Sequence, residues 1–357
     1  MPRMTTIRDV AQRAGVSVAT VSRVMNGSAN VSPELRERVW EAIKALNYSP
    51  SALARGLNTR ISSTIGVCVP SITKHPFWAQ VVSGIEDECR KSGYNLFLCH
   101  TESEPQRERD YIELLRTRRA DGLILGPSAD SAAHLEALLA PDWPLVLVDR
   151  KFRDLAVPAI LVDNYRASLE AVEYLVRLGH RRIGVVAGSP AHTVAQDRIR
   201  GYRDALTRNG LPVDEGLIWM RSYEDEHAYA ATRALLALPD PPTAIFSCSG
   251  RLARGILHML QEEGVRIPQE LSFLTFDDYD WMTLVSPPLT AIAQPAVEMG
   301  RQAMRMLLRL IRGEAPLERS EVILETTFVE RGSCAPPLRR PVPEPVRAGT
   351  PAQGGTL

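Results

Sequence analysis

Along the first fifty positions, apolar residues recur at three- and four-residue spacing, the period of short amphipathic helices. The stretch TIRDVAQRAGVSVATVSRVMNG predicts a helix over Ile7–Ala14 with Thr6 as its cap and Asp9 in the first turn, where a carboxylate suits the helix dipole. Gly15 ends it, Ser17 caps a second helix over Val18–Met25, and Val21 and Val24 are spaced to pack back on Val10 and Ala11. Ser32-Pro33-Glu34 starts a third helix with an apolar stripe of Leu35, Val39, Ile43 and Leu46. From about Ser63 the pattern changes. The short apolar runs IGVCVP, YNLFLC, GLILG and VLVD alternate with helical patterns over 77–92 and 104–118. A second set follows, with RIGVVAG, TAIFSC and LSFLTF among helical patterns over 194–209, 227–238 and 252–263. Such alternation predicts parallel sheets covered on both faces, one α/β lobe per set, with ligands bound outside the carboxyl ends of the strands.

The chain therefore reads as multidomain, an all-α head followed by a bilobed α/β body. Residues 1–49 form the head and 63–333 the body. Between them, 50–62 holds fair helix formers broken by Gly56, too short to be a stable helix alone. The end, PPLRRPVPEPVRAGTPAQGG, has almost nothing to bury, so 334–357 is expected to be a disordered tail.

Two capped helices across a tight turn make a helix-turn-helix, whose second helix enters the DNA major groove. Thr6, Ser17, Thr20, Ser22 and Asn26 supply short polar groups suited to phosphates, and Arg23 is long enough to reach a guanine edge. Val18 and Ala19 offer only apolar contact, for instance to a thymine methyl. The whole chain of 357 residues carries no net charge, yet residues 1–60 hold nine basic against four acidic side chains. Basic charge concentrated in the head suits double-stranded DNA and leaves a body that does not cling to it. One short helix reads too few bases to be selective, which argues for a homodimer on a palindromic operator.

The five cysteines, Cys68, Cys89, Cys99, Cys248 and Cys334, show no CxxC spacing and read as reduced thiols rather than metal or redox sites. No apolar run approaches a membrane span and no signal-peptide core is present, which points to the cytoplasm and away from a periplasmic binding protein. For an enzyme, the sequence lacks a phosphate-cradling glycine loop, a GxSxG elbow and metal-spaced ligands, so no catalytic residue, metal or cofactor is assigned. Asp277-Asp278 resembles a catalytic pair only until strand geometry is considered, since neighbours at a strand end point opposite ways.

Taken together, VSVATVSRVMNG, NYSPSALARGLNTR, IGVCVPSITKHPFWAQVVSGIE, ADGLILGP, VLVDR, GHRRIGVVAG, and FDDYDW followed by PPLTAIAQP resemble the LacI/GalR family of transcription regulators across almost the whole chain. The resemblance implies a ligand-responsive, dimeric repressor with a body like a type I periplasmic sugar-binding protein. It implies that 50–62 holds a hinge helix in which Leu57, beside Ala54, wedges into the minor groove and kinks the operator. It also places the effector against Phe77, Trp78, Ser128, Asp149, Arg150, Arg198, Ser249, Asp277 and Gln294, the last in the final crossing between lobes. No C-terminal apolar heptad segment follows, which favours a dimer over a tetramer. The sequence departs from the family at SCSGRLARG, where Ser249 and Gly250 stand in place of asparagine and aspartate. A missing carboxylate near Lys74, His75 and Arg198 favours a sugar acid over a neutral sugar, with a purine, a phosphorylated sugar or a protein corepressor left open.

Overall fold

A computed structural model of the chain describes residues 5–25, 31–48, 62–139, 143–314 and 321–338. They fall into two units, a head that extends to Thr64 (together with 118–121) and a body.

The head contains helices α1 (Ile7–Ala14), α2 (Val18–Met25) and α3 (Pro33–Ala45). Its first helix begins in a capping box, the Thr6 hydroxyl accepting from the Asp9 N–H while the Asp9 carboxylate takes the Thr6 N–H at 2.8 Å. Gly15 ends it in the left-handed region at φ 63°, and Arg38 of α3 donates to the Ala14 carbonyl at 2.6 Å. Val10, Ala11, Ala14, Val21, Val24, Val39, Ala42 and Ile43 make the small core. Of the predicted α3 stripe, Val39 and Ile43 are buried, while Leu35 and Leu46 are half-buried at its ends.

The body holds two six-stranded sheets of matching topology. The first runs β11-β5-β4-β3-β1-β2 and the second β12-β10-β9-β8-β6-β7. The strands of the first are β1 (Thr64–Val69), β2 (Asn95–His100), β3 (Gly122–Leu125), β4 (Leu145–Val148), β5 (Ala159–Val162) and β11 (Glu321–Leu324). Those of the second are β6 (Ile183–Ala187), β7 (Ile218–Met220), β8 (Ala244–Ser247), β9 (Ser272–Phe276), β10 (Thr290–Ala293) and β12 (Thr327–Val329). The described pairings are parallel except β10 with β12. Strands β3, β4, β6, β8 and β9 are buried along their whole length, as strands covered on both faces must be.

Helices α4 (Pro76–Ser92), α5 (Pro105–Thr117) and α10 (Ala296–Ile311) belong to the first lobe. The second lobe has the pairs α6 (Asn164–Arg177) with α7 (Thr193–Arg208), and α8 (Asp225–Leu236) with α9 (Gly250–Glu262). The chain crosses between lobes three times, after β5, β10 and β11. Gln294 thus lies in the second crossing rather than the last. Periodicity located the elements it assigned to within two residues but passed over β5, β7, β10, β11 and β12 and the long helices α6 and α10. The strands among these are three or four residues long, too short to show a period.

The body also runs past 333, where disorder was expected. The Ala335 N–H donates to Ser272 Oγ at 3.0 Å, and its carbonyl lies 3.0 Å from His180 Nε2. These partners come from β9 and the turn before β6, and sequence gives no sign that they will meet the tail. Residues 339–357 lie outside the described residues, as do residues 50–61 of the 50–62 stretch assigned to the hinge. Among the described residues no helix is long and apolar enough to cross a membrane.

Close helix contact depends on glycine. A Cβ on Gly84 of α4 would lie 1.9 Å from the Val297 carbonyl oxygen of α10, and one on Gly300 of α10 would lie 2.0 Å from that of Val81. Backbone cannot yield as a flexible side chain can. Gly84→Ala should therefore destabilise the body by about 1–3 kcal/mol in chemical denaturation without loss of helical circular dichroism.

Candidate functional site

The strand order reverses at the carboxyl ends of β1, β3, β6 and β8, and there the two lobes enclose a cleft. From the first lobe it is lined by His75, Phe77, Trp78, Asp149 and Arg150, and from the second by His192, Arg198, Tyr223, Ser249 and Asp277, with Gln294 in a crossing. The space open to a water-sized molecule within it is about 40 Å³, so the lobes stand nearly closed and must part to admit a ligand.

Two carboxylates occupy matching places. Asp149 follows β4 and Asp277 follows β9, the equivalent strands of the two sheets, and both take left-handed backbone at φ 74° and 70°. Such strain costs about 1–3 kcal/mol per residue and persists where surrounding bonds fix it. The Asp149 N–H donates to Ile160 O at 3.0 Å, and its carboxylate accepts from Arg150 Nε at 3.2 Å. The Asp277 carboxylate accepts from the Gly250 N–H at 2.8 Å and from Gln294 Nε2 at 2.6 Å. Asp278 turns the other way, onto the Arg331 guanidinium at 2.7 and 2.8 Å, so the adjacent pair is split as strand geometry requires.

Arg198 is buried with its guanidinium 3.4 Å from the centroid of Phe276. Its Nε donates to Asn164 Oδ1 at 2.8 Å and its Nη1 to the Cys248 carbonyl at 2.6 Å. It is therefore oriented by neutral acceptors rather than tied up by a carboxylate. Among the described residues, three other lining groups have buried polar atoms without a hydrogen-bond partner, Nη1 of Arg150, Nδ1 of His192 and Oε1 of Gln294. A donor and an acceptor left open at one cleft are what a bound hydroxyl-bearing molecule satisfies.

Glycines at the strand ends admit the aromatic faces. A Cβ on Gly126 would meet the Trp78 ring at 2.3 Å, and one on Gly188 would meet Tyr223 at 2.1 Å. Tyr223 stacks on His192 with centroids 5.9 Å apart. Gly250 has its own reason to be glycine, since a side chain there would strike the Tyr279 ring at 2.5 Å.

Not every expected contact is present. Ser128 is buried but does not line the cleft; its hydroxyl is 3.0 Å from Thr101 Oγ1 and its N–H donates to Glu108 at 2.7 Å. The expected basic group is also dispersed. Lys74 is exposed and pairs with Glu224 at 3.5 Å, while burial lowers the pKa of His75 despite Asp277 and Asp149 nearby. Ser249 Oγ, 3.3 Å from the Arg251 N–H, caps α9. His192, Tyr223 and Arg251 were missed, because the segments that follow strands and open the next helix carry no periodicity, whereas His75 was expected beside the ligand and lines the cleft.

In the head, the Thr20 N–H donates to Ser17 Oγ at 3.1 Å, so Ser17 caps α2 as expected. Ser17, Val18, Ala19 and Arg23 are exposed, as is Thr6, while Thr20 and Ser22 are half-buried. The recognition face therefore presents one long cation beside small groups. Asn26, Ala54 and Leu57 lie outside the described residues.

The family described as bacterial regulatory proteins of the lacI family matches residues 6–51, and that described as periplasmic binding proteins and sugar binding domain of the LacI family matches 62–330. The chain belongs to the LacI family. It is a ligand-responsive DNA-binding regulator. The ribose operon repressor of Haemophilus influenzae is 37% identical over 330 residues, 92% of this chain and 98% of that protein. The PurR repressor of Actinobacillus pleuropneumoniae is 35% identical over 309 residues, 87% of this chain and 92% of that one. Among solved structures, a lac repressor dimer bound to operator and the anti-inducer ONPF superposes with a TM-score of 0.84 at 27% identity, covering 93% of this chain and all of that one. These curated relatives are repressors, not enzymes.

The cleft gives this regulator a pH signature. Burial, helped by the Arg150 charge, pushes the His192 pKa down to about 4. An unfolded histidine takes up a proton near pH ~6.5 while the folded one does not, so stability is full above that pH and falls as pH drops toward 4. His192→Asn should remove about 1–3 kcal/mol of the loss between pH 6.5 and 4, read from denaturation midpoints across that range.

Proposed function

We propose that this regulator is a dimeric cytoplasmic repressor of a carbohydrate-utilisation operon, and that its effector is a neutral sugar. The observation that carries the reading is the cleft lining, with two carboxylates, an oriented arginine, an open donor and an open acceptor between aromatic faces. Vicinal hydroxyls can donate to Asp149 and Asp277 and accept from Arg150 and Arg198 in one bound pose. Lys74, the cation expected to receive a sugar acid, is drawn off to Glu224, and an acid would have to sit on Arg198 clear of both carboxylates. The ribose operon repressor among the relatives supports a sugar, and PurR keeps a purine as the competing reading.

The same geometry argues against turnover. His75 Nε2 lies 3.5 Å from Ser249 Oγ, but that hydroxyl caps a helix, and the other ring nitrogen faces the Tyr279 hydroxyl rather than a carboxylate. A nucleophilic hydroxyl must be free to attack, and this one is committed to the α9 cap.

A thermal-shift screen of pentoses, hexoses, sugar acids and purines against wild type and Arg198→Ala tests the assignment. A neutral sugar should raise the wild-type transition, with affinity weakened at least tenfold in Arg198→Ala. Stabilisation by purines or sugar acids alone would overturn it.

A further inference from the structure

His75 comes from the first lobe, at the N-cap of α4, and both of its ring nitrogens face the second lobe. Nδ1 lies 3.2 Å from the Tyr279 hydroxyl and Nε2 3.5 Å from Ser249 Oγ. The ring also packs edge-on to Phe77 of its own lobe and to Tyr279 across the cleft, with centroids 5.8 and 6.3 Å away. We propose that His75 is a positioning residue that joins the lobes directly through Tyr279 and Ser249, and so sets the closure equilibrium on which the effector acts. This rests on the effector-cleft reading and adds a regulator of that same site.

The chemistry fits a neutral ring. The Tyr279 hydroxyl also meets the Asp277 carboxylate, which can only accept, so it gives its proton there and accepts from Nδ1–H, while Nε2 accepts from the Ser249 hydroxyl that the cap on α9 already holds in place. Tyr279 is fixed in turn. Its ring fills the space beside Gly250 that a side chain would take, and Gly250 is anchored to Asp277. The departure at Ser249-Gly250 and the histidine at 75 thus form one device, with glycine making room for the tyrosine and serine meeting the imidazole. The contact involves only protein groups. An effector adds its own bonds to a closure that His75 already favours, so the effector concentration needed for a response depends on this ring.

Amide hydrogen exchange on the full chain at neutral pH, with neither sugar nor DNA added, tests the proposal. His75→Ala should raise exchange about fivefold in segments 147–151 and 249–253, on opposite walls of the cleft, and leave 202–206 in the α7 interior unchanged. Tyr279→Phe should do the same, the double variant should add nothing further, and His75→Gln, which can still donate and accept, should stay within twofold of wild type. Unchanged exchange at both walls in His75→Ala, additive effects of the two substitutions, or an equal rise at 202–206 would each overturn it. Because the readout involves no ligand, its failure would leave the sugar assignment standing, and failure of the sugar screen would leave this result standing.

Discussion

Two central strands end on an aspartate held in left-handed backbone, Asp149 in one sheet and Asp277 in the other, and the cleft is built around that repeated constraint. A carboxylate at the end of a fully buried strand is costly unless it is hydrogen-bonded. Each lobe meets the demand differently, Asp149 with the neighbouring Arg150 and Asp277 with the Gly250 N–H and Gln294. These bonds draw α9 and the second crossing toward the same place. Arg198, stacked on Phe276 and held by neutral acceptors, then adds a cation whose charge no protein carboxylate cancels directly. The site is thus polar, buried and incompletely satisfied, which suits selective binding of a small hydroxylated molecule.

How much of this the sequence revealed depends on how local each signal is. α1 and α2 have the bounds that their caps and Gly15 predict, because capping is settled within four residues. The two-lobed α/β body was legible from alternation, and Phe77, Trp78, Asp149, Arg150, Arg198, Ser249, Asp277 and Gln294 all line the cleft. What was lost is non-local. Ser128 follows its strand as a lining residue would, yet turns to Thr101 and Glu108, which only the packed lobe brings near. Lys74 looks like an anion contact until the opposite lobe supplies Glu224. Tyr223 and His192 enter because Gly188 leaves room for a ring, and a glycine after a strand is the one sequence signal that could have found them.

Function follows from dividing tasks between units. The head reads DNA with a short helix whose exposed face offers Arg23 and small groups, so its selectivity is limited and depends on pairing with a second copy. The body carries the cleft, whose two walls belong to different lobes joined by three crossings. A ligand that touches both walls favours one lobe arrangement only by its differential affinity for it, and that difference is all the free energy available to change operator binding.

The most direct test measures this coupling in both directions. Operator affinity is determined by fluorescence anisotropy with and without a saturating sugar, and sugar affinity by calorimetry with and without saturating operator. The account predicts that both affinities change by the same factor, about 5–150-fold. A sugar that binds the cleft while operator affinity stays the same would contradict it.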